Sequence, residues 1–165
     1  MKLRYIFILL VIIVGFSACD PNDTIKPYDV EYGSIGDKLP GEWYVTYNLA
    51  GADQNGYSKL MTYNGANNSA SMMWIDDLEN FWGMKAYIAC DPVSNTFSAT
   101  AADEVYNGIT VDIKNGKIIL GGGRTAAGNV TDSIYMEVTY SDNPTNLYIV
   151  SGIRRTGFLE DEMED

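Results

Sequence analysis

The sequence predicts an all-β domain, a single antiparallel meander of about eight strands closed into a barrel, set behind an export signal and a tether. Three observations predict it. From Gly41 onward apolar residues recur at every second position, the period of a strand with one buried face and not the longer period of a helix. The alternating runs are separated by Asn-Gly and Asn-Pro turn signals at short intervals. No segment holds a helical apolar stripe over three turns, and no internal repeat of fixed period is present.

The first strand is read at Gly41–Leu49, where Trp43, Val45, Tyr47 and Leu49 share one face and Glu42, Tyr44, Thr46 and Asn48 the other. Ser58–Tyr63 follows and stops at Asn64-Gly65. Ser69–Ile75 and Trp82–Cys90 flank an acidic stretch, Trp74–Lys85, that places three carboxylates between two tryptophans in WIDDLENFWGMK. Ala70, Met72 and Trp74 fall on one face of the first of these runs, and Trp82, Met84, Ala86, Ile88 and Cys90 on one face of the second. Asn107-Gly108 opens Ile109–Ile113. Lys114-Asn115-Gly116-Lys117 reads as a two-residue hairpin turn into Lys117–Leu120, because Asn-Gly supplies the positive φ angles such a turn needs. Gly121-Gly122-Gly123-Arg124 lacks the Lys-Ser/Thr of a phosphate loop and reads as a turn. Asp132–Tyr140, the turn at Asp142-Asn143-Pro144 and Asn146–Arg154 complete the meander.

Ahead of the strands, Lys2 and Arg4 form a basic start and Tyr5–Phe16 is apolar. That run is short against the ~20 residues of a spanning helix, so it reads as an export signal. Its ending, Phe16-Ser17-Ala18-Cys19, resembles the lipobox of bacterial lipoproteins, with Phe16 where leucine is usual. The resemblance implies acylation of Cys19 and removal of residues 1–18, which leaves 147 of the 165 residues. A chain that long buries ~70% of its surface around one core. The lost segment carries two basic residues and no acid, so the net charge moves from −11 to −13. Such a chain repels nucleic acid and anionic lipid, and attachment to a membrane would come from the acyl chains on Cys19. The expected location is the cell envelope, at the outer membrane of a Gram-negative cell on its periplasmic or cell-surface face. With Cys19 acylated only Cys90 remains, so no internal disulfide can form. Residues 19–38 hold Pro21, Pro27 and acids without apolar period and read as a tether, leaving 39–165 as the barrel domain.

Gly41-Glu42-Trp43 at the start of the first strand, with Arg154 and Arg155 near the end of the last, resembles the calycin arrangement of lipocalins. There a Gly-x-Trp tryptophan closes the barrel bottom and an arginine packs across its ring, a contact of ~0.5–2 kcal/mol. Thr131-Asp132 with Tyr135 matches a second lipocalin motif over a few positions only. A wider similarity is carried by MWIDDLENFWGMKAYI, KNGKIILGGG, GNVTDSIYMEV and SGIRRTGFLEDE, from about Gly41 to Glu162. In order and spacing these are similar to the bacterial family labelled lipid-binding putative hydrolase, exported lipoproteins with calycin-like barrels. The resemblance brings no catalytic residue that maps onto a position here.

The residues themselves speak against most hydrolytic chemistry. The chain has no histidine, which removes Ser-His and Cys-His mechanisms and most zinc sites, and neither a cofactor nor a metal is expected. Cys90 has no cation beside it in sequence and reads as a buried inert thiol, while Ser58 and Lys59 point to opposite faces of a strand. What remains for catalysis is a carboxylate pair from Asp76, Asp77 and Glu79, and these read first as a solvated turn at the barrel rim, then as a ligand or ion contact. Tyr47, Trp74, Trp82 and Met84 are candidates for a ligand pocket, since an eight-stranded barrel has room for side chains or one small ligand. The C-terminal LEDEMED, five acids in seven residues, reads as a frayed tail unless Glu160 or Asp161 folds back onto Arg154 or Arg155. Three functions stay open: a barrel binding a small apolar or amphipathic ligand, a filled module binding a protein or glycan, and a carboxylate-dependent hydrolase.

Overall fold

The computed structural model describes residues 33–163. The expected export signal, Cys19 and the first part of the expected tether lie outside the described residues. The strands are β1 (Gly41–Leu49), β2 (Ala52–Asp53), β3 (Ser58–Asn64), β4 (Met72–Asp76), β5 (Lys85–Asp91), β6 (Thr96–Asp103), β7 (Thr110–Arg124), β8 (Val130–Tyr140) and β9 (Tyr148–Arg154). Apart from β2, a two-residue extension paired to the end of β1, each strand hydrogen-bonds to the next in an antiparallel sheet. β1 also pairs with β9, from Trp43↔Arg154 to Leu49↔Tyr148, and this closes an eight-stranded barrel with no free edge.

Two departures from the expected strands offset one another. Thr96–Asp103 forms β6, which the sequence analysis does not contain. Its inward positions are Phe97 and Ala99, and small Thr, Ser and Ala fill most of the rest, so its alternation carries little apolar contrast. Conversely, Lys114-Asn115-Gly116-Lys117 is no hairpin turn. It lies inside the 15-residue β7 as a bulge, with Lys114 opposite Glu137 and Lys117 opposite Tyr135 on β8. Asn115 does take a positive φ of 54°, and the extra residue moves the buried set from Val111 and Ile113 to Gly116 and Ile118. Gly116 is required there, because a Cβ would stand 2.4 Å from the Phe97 carbonyl oxygen on β6.

The interior is filled by inward side chains of every barrel strand, among them Val45, Leu60, Met73, Ile75, Ile88 and Met136, all at most 1% exposed. At the end where β1 begins, here called the base, Trp43 is buried and its indole N–H donates to Thr62 Oγ1 at 2.9 Å. Thr62 in turn donates to the Leu39 carbonyl at 2.5 Å. The Arg154 guanidinium lies 4.6 Å from the centre of the Trp43 ring, the calycin-like contact, and donates to the Pro40 carbonyl at 2.9 Å and to the Lys38 carbonyl. Thr131 and Asp132 both serve it: Thr131 Oγ1 donates to the Arg154 carbonyl, and Asp132 Oδ2 stands 3.4 Å from Nε, too poorly aligned for a hydrogen bond. Gly41 is glycine because a Cβ would press on both Arg154 Nη1 and the Trp43 ring, at 3.1 and 3.2 Å. Arg155 points away, to Glu42 at 2.7 Å and Glu162 at 2.8 Å.

Both segments flanking the strands are more ordered than their composition predicts. Ile35, within the stretch assigned to the tether, is completely buried and packs with Leu39 under the base. A single apolar residue among turn formers has no period to reveal it. Of the C-terminal stretch, Leu159 to Glu162 fold back and do not fray. Asp161, 4% exposed on a single 3-10 turn (Leu159–Asp161), accepts bonds from Thr125 at 2.5 Å, Thr156 at 2.8 Å and Asn129 at 3.0 Å. Glu162, not Glu160 or Asp161, pairs with Arg155 and also accepts the Tyr44 hydroxyl.

Candidate functional site

The opposite end of the barrel, the mouth, is where the WIDDLENFWGMK stretch folds. The tryptophan-flanked acids do not make a short turn between strands. β4 ends at Asp76 and β5 starts at Lys85, and between them residues 77–84 form a loop whose neck is closed by the Asp77 N–H donating to the Met84 carbonyl at 2.8 Å. At its tip the Asn80 N–H donates to the Asp77 carbonyl at 3.0 Å, with Leu78 and Glu79 at φ 55° and 61°. Two successive non-glycine residues in the left-handed region cost about 1–2 kcal/mol each, so something must impose that conformation.

The two aspartates impose it, and neither is solvated as the sequence suggests. Asp76 is 3% exposed and Asp77 fully buried; only Glu79 of the three acids is exposed. Adjacent residues on an extended chain point to opposite faces, so the pair divides its work. Asp76 turns to the outer wall, where it accepts from the Leu78 N–H at 2.9 Å, Tyr63 OH at 3.0 Å and Tyr106 OH at 3.1 Å, and pairs with Lys85 Nζ at 3.0 Å. Burial pushes its carboxyl up, but these four donors outweigh it and hold the group below the ordinary range. Asp77 turns inward and accepts from the backbone N–H of Glu79 at 2.9 Å and of Trp82 at 3.1 Å. Here burial dominates and raises the carboxyl.

Folded in this way, the loop lays two rings across the mouth. Phe81 stacks on Tyr47 with centroids 4.1 Å apart and planes 19° apart, and meets the edge of Tyr148 at 5.2 Å. Trp82 stacks on Tyr140 at 5.0 Å and 12°, and its indole N–H donates to Asp142 at 3.2 Å. Asn107 Nδ2 donates to the Trp82 carbonyl at 3.0 Å and Asn55 Nδ2 to the Asn80 carbonyl at 2.7 Å, tying the loop to its neighbours. Beneath the rings, Tyr140 OH finds only the Met84 sulfur at 3.9 Å. Tyr47 OH, completely buried, has no hydrogen-bond partner. Burial lifts both phenols well above their ordinary range, and the nearby Asp77 charge adds to it.

The structure therefore brings Tyr47, Trp82 and Met84 together and leaves Trp74 out. Trp74 lies between inward Met73 and Ile75 on β4, so strand alternation sends it to the outer wall, where it packs on Tyr87 at 5.1 Å. Phe81, Tyr140 and Tyr148 belong to the cluster and went unrecognised in the sequence. Phe81 was beside Trp82 in a loop whose path has no periodic signal, while Tyr140 and Tyr148 end adjacent strands facing the same way. A concavity of about 730 Å³ opens away from this cluster, on the outer wall at the β7 bulge, lined by Lys117, Tyr135, Glu137 and Asn115 and reaching Cys90. Burial raises the Cys90 thiol, as an inert buried cysteine requires. Among the described residues no group of three His, Cys, Asp or Glu side chains is placed to hold a metal ion.

Comparison with known proteins adds to this geometry. A family model described as "Lipid-binding putative hydrolase" matches residues 28–159. Among solved structures the chain is similar to a protein of unknown function from Bacteroides ovatus, at 13% identity and a TM-score of 0.44. That match covers 71% of this chain and 42% of the other, so this chain spans less than half of that protein's length. No curated protein matches the chain.

Proposed function

Since the chain belongs to the family of lipid-binding putative hydrolases, we propose that it is an exported lipoprotein, anchored through acyl chains on Cys19, whose barrel takes a small apolar or amphipathic ligand at the aromatic mouth. The observation that carries the reading is the Tyr47 hydroxyl, buried and unbonded beneath Phe81. A buried hydroxyl without a partner costs about 1–3 kcal/mol, and a ligand whose polar end offers a carbonyl, carboxylate or hydroxyl oxygen relieves that cost. Phe81 occupies the stacking slot such a ligand would use, on a loop with two left-handed non-glycine residues. Ligand entry is then an exchange: Phe81 swings out, an apolar group takes its place against Tyr47 and Tyr148, and burial supplies roughly 25 cal/mol per Å².

Titration with an environment-sensitive fluorescent fatty acid tests this. The wild type should take up the probe saturably and with a negative heat-capacity change. Tyr47→Phe should leave the ligand-free protein as stable or more so, since no bond is lost, yet weaken the probe by about five- to tenfold. Phe81→Ala should tighten binding by vacating the slot, and Trp82→Ala should weaken it by removing a wall. No uptake by the wild type, or unchanged affinity in Tyr47→Phe, would sink the mouth as the site. For the anchor, Cys19→Ala should abolish fatty-acid labelling and release the protein from membranes; an unlabelled, soluble wild type contradicts lipidation.

A second reading has support from the filled interior and the outer groove of about 730 Å³, which suit a non-catalytic module that contacts a protein or glycan on its wall. It takes precedence if no probe is bound. The carboxylate-dependent hydrolase draws no support from Asp76, whose oxygens already meet four donors, or from Asp77, enclosed by the loop it organises.

A further inference from the structure

Four large apolar side chains stand in water on and beside the β7–β8 hairpin at the base end: Leu159 at 90% exposure, Phe158 at 63%, Val130 at 61% and Leu120 at 53%. Single exposed hydrophobes are ordinary, but these are gathered on one feature. Leu120 and Val130 lie on the β7–β8 hairpin, where Val130 Cγ1 stands 3.7 Å from the place a Cβ on Gly121 would occupy. Phe158 and Leu159 are held beside the same hairpin by Asp161, whose carboxylate binds Thr125 and Asn129 of its turn and Thr156 of the approaching chain. That turn is itself closed by the Gly128 N–H on the Thr125 carbonyl and the Thr125 N–H on the Asn129 carbonyl, each 2.9 Å. The apolar pair is thus fixed in an outward position by three hydrogen bonds to a buried carboxylate.

The chain also enters the barrel at this end. Gly33 to Leu39 packs under the base, with Ser34 bonded to Asn68 and the Lys38 carbonyl accepting from Arg154. Thirteen residues lie between Cys19 and Gly33. A connection of that length reaches at most about 50 Å. The mouth lies a strand length further on, about 30 Å for the nine residues of β1. From these two observations we infer that the base is a bilayer-facing surface, on which Phe158, Leu159, Leu120 and Val130 enter the interface of the membrane that holds Cys19. The inference rests on the anchoring reading above. It orients the barrel with its aromatic mouth away from that membrane. Glu160 and Glu162 flank the patch and the chain as a whole is anionic, so the surface it fits is zwitterionic lipid, entered by apolar contact and not by headgroup charge. Tethering raises the effective concentration of the bilayer, so weak insertion suffices.

The test uses the acylated protein in phosphatidylcholine vesicles whose acyl chains carry bromine, a short-range quencher of indole fluorescence. Leu159→Trp at the base is compared with Leu147→Trp at the mouth, each against the parent with its three tryptophans. The fluorescence added by Leu159→Trp should be quenched at least twofold, and that added by Leu147→Trp should not. Equal quenching at both positions, or stronger quenching at Leu147→Trp, overturns the orientation. Protein that floats with the vesicles while neither position is quenched keeps the anchor and overturns the docking. Protein that does not float at all overturns both.

Discussion

Trp43→Ala is expected to lower the unfolding free energy by about 3–5 kcal/mol, the range for removing a large buried aromatic from a packed site. Trp43 is 1% exposed, bonded through its indole to Thr62 and covered by Arg154, so its loss opens a cavity and leaves the Thr62 hydroxyl short of a donor. The two arginines should separate cleanly. Arg154→Ala removes the ring contact and the bonds to Pro40 and Lys38, and should cost about 1–2 kcal/mol. Arg155→Ala loses only ion pairs at the surface and should change stability little. Chemical denaturation of the three variants, followed by tryptophan fluorescence or far-ultraviolet circular dichroism, measures this. Equal, negligible costs for both arginines would contradict the base as described.

Gly152→Ala should do as much damage from a single added methyl group. Gly152 pairs with Val45 on the β1–β9 seam, and a Cβ there would stand 1.9 Å from the Tyr44 carbonyl oxygen and 2.7 Å from Val45 Cα. Both obstacles are backbone, so no rotamer change relieves them, and the seam must part for the side chain to fit. A cost of about 3 kcal/mol or more is expected, the upper end for overpacking, and the variant should fold poorly. Gly128→Ala is the contrast: its φ is 88° but nothing lies within 4 Å, so only the left-handed penalty of about 1–2 kcal/mol applies. If the two variants melt together, seam crowding is not what Gly152 avoids.

The parts of the fold that could be read in advance are those with a local signal. Alternation along GEWYVTYNL places Trp43, Val45 and Tyr47 inside the barrel, as found, since each faces the core by its own position on the strand. The same rule sets Trp74 on the face opposite Met73 and Ile75 but does not say which face is the interior, and in the barrel that of Trp74 is the outer one. Asn115-Gly116 shows a different limit. Its positive φ was legible, but whether such a residue turns the chain or bulges it depends on β6 and β8 continuing on both sides. β6, nearly without apolar contrast, exists because Phe97 and Ala99 are needed between two strands that are already there.

The candidate site divides along the same line. Period-two patterning and spaced turns are properties of neighbouring residues, so the all-β meander, the Gly41–Trp43 base motif and the absence of histidine chemistry needed no coordinates. Long-range closure decided the rest. Asp76 and Asp77 are buried because Tyr63, Tyr106 and Lys85 converge on one and the loop backbone wraps the other, and no local rule brings those donors together. Phe81 becomes a plug, and Tyr47 OH an unbonded group beneath it, only when a loop from β4–β5 crosses a mouth built from β1, β8 and β9. The physical reason is that burial and hydrogen-bond satisfaction are sums over residues distant in sequence, whereas strand periodicity is complete within a few positions.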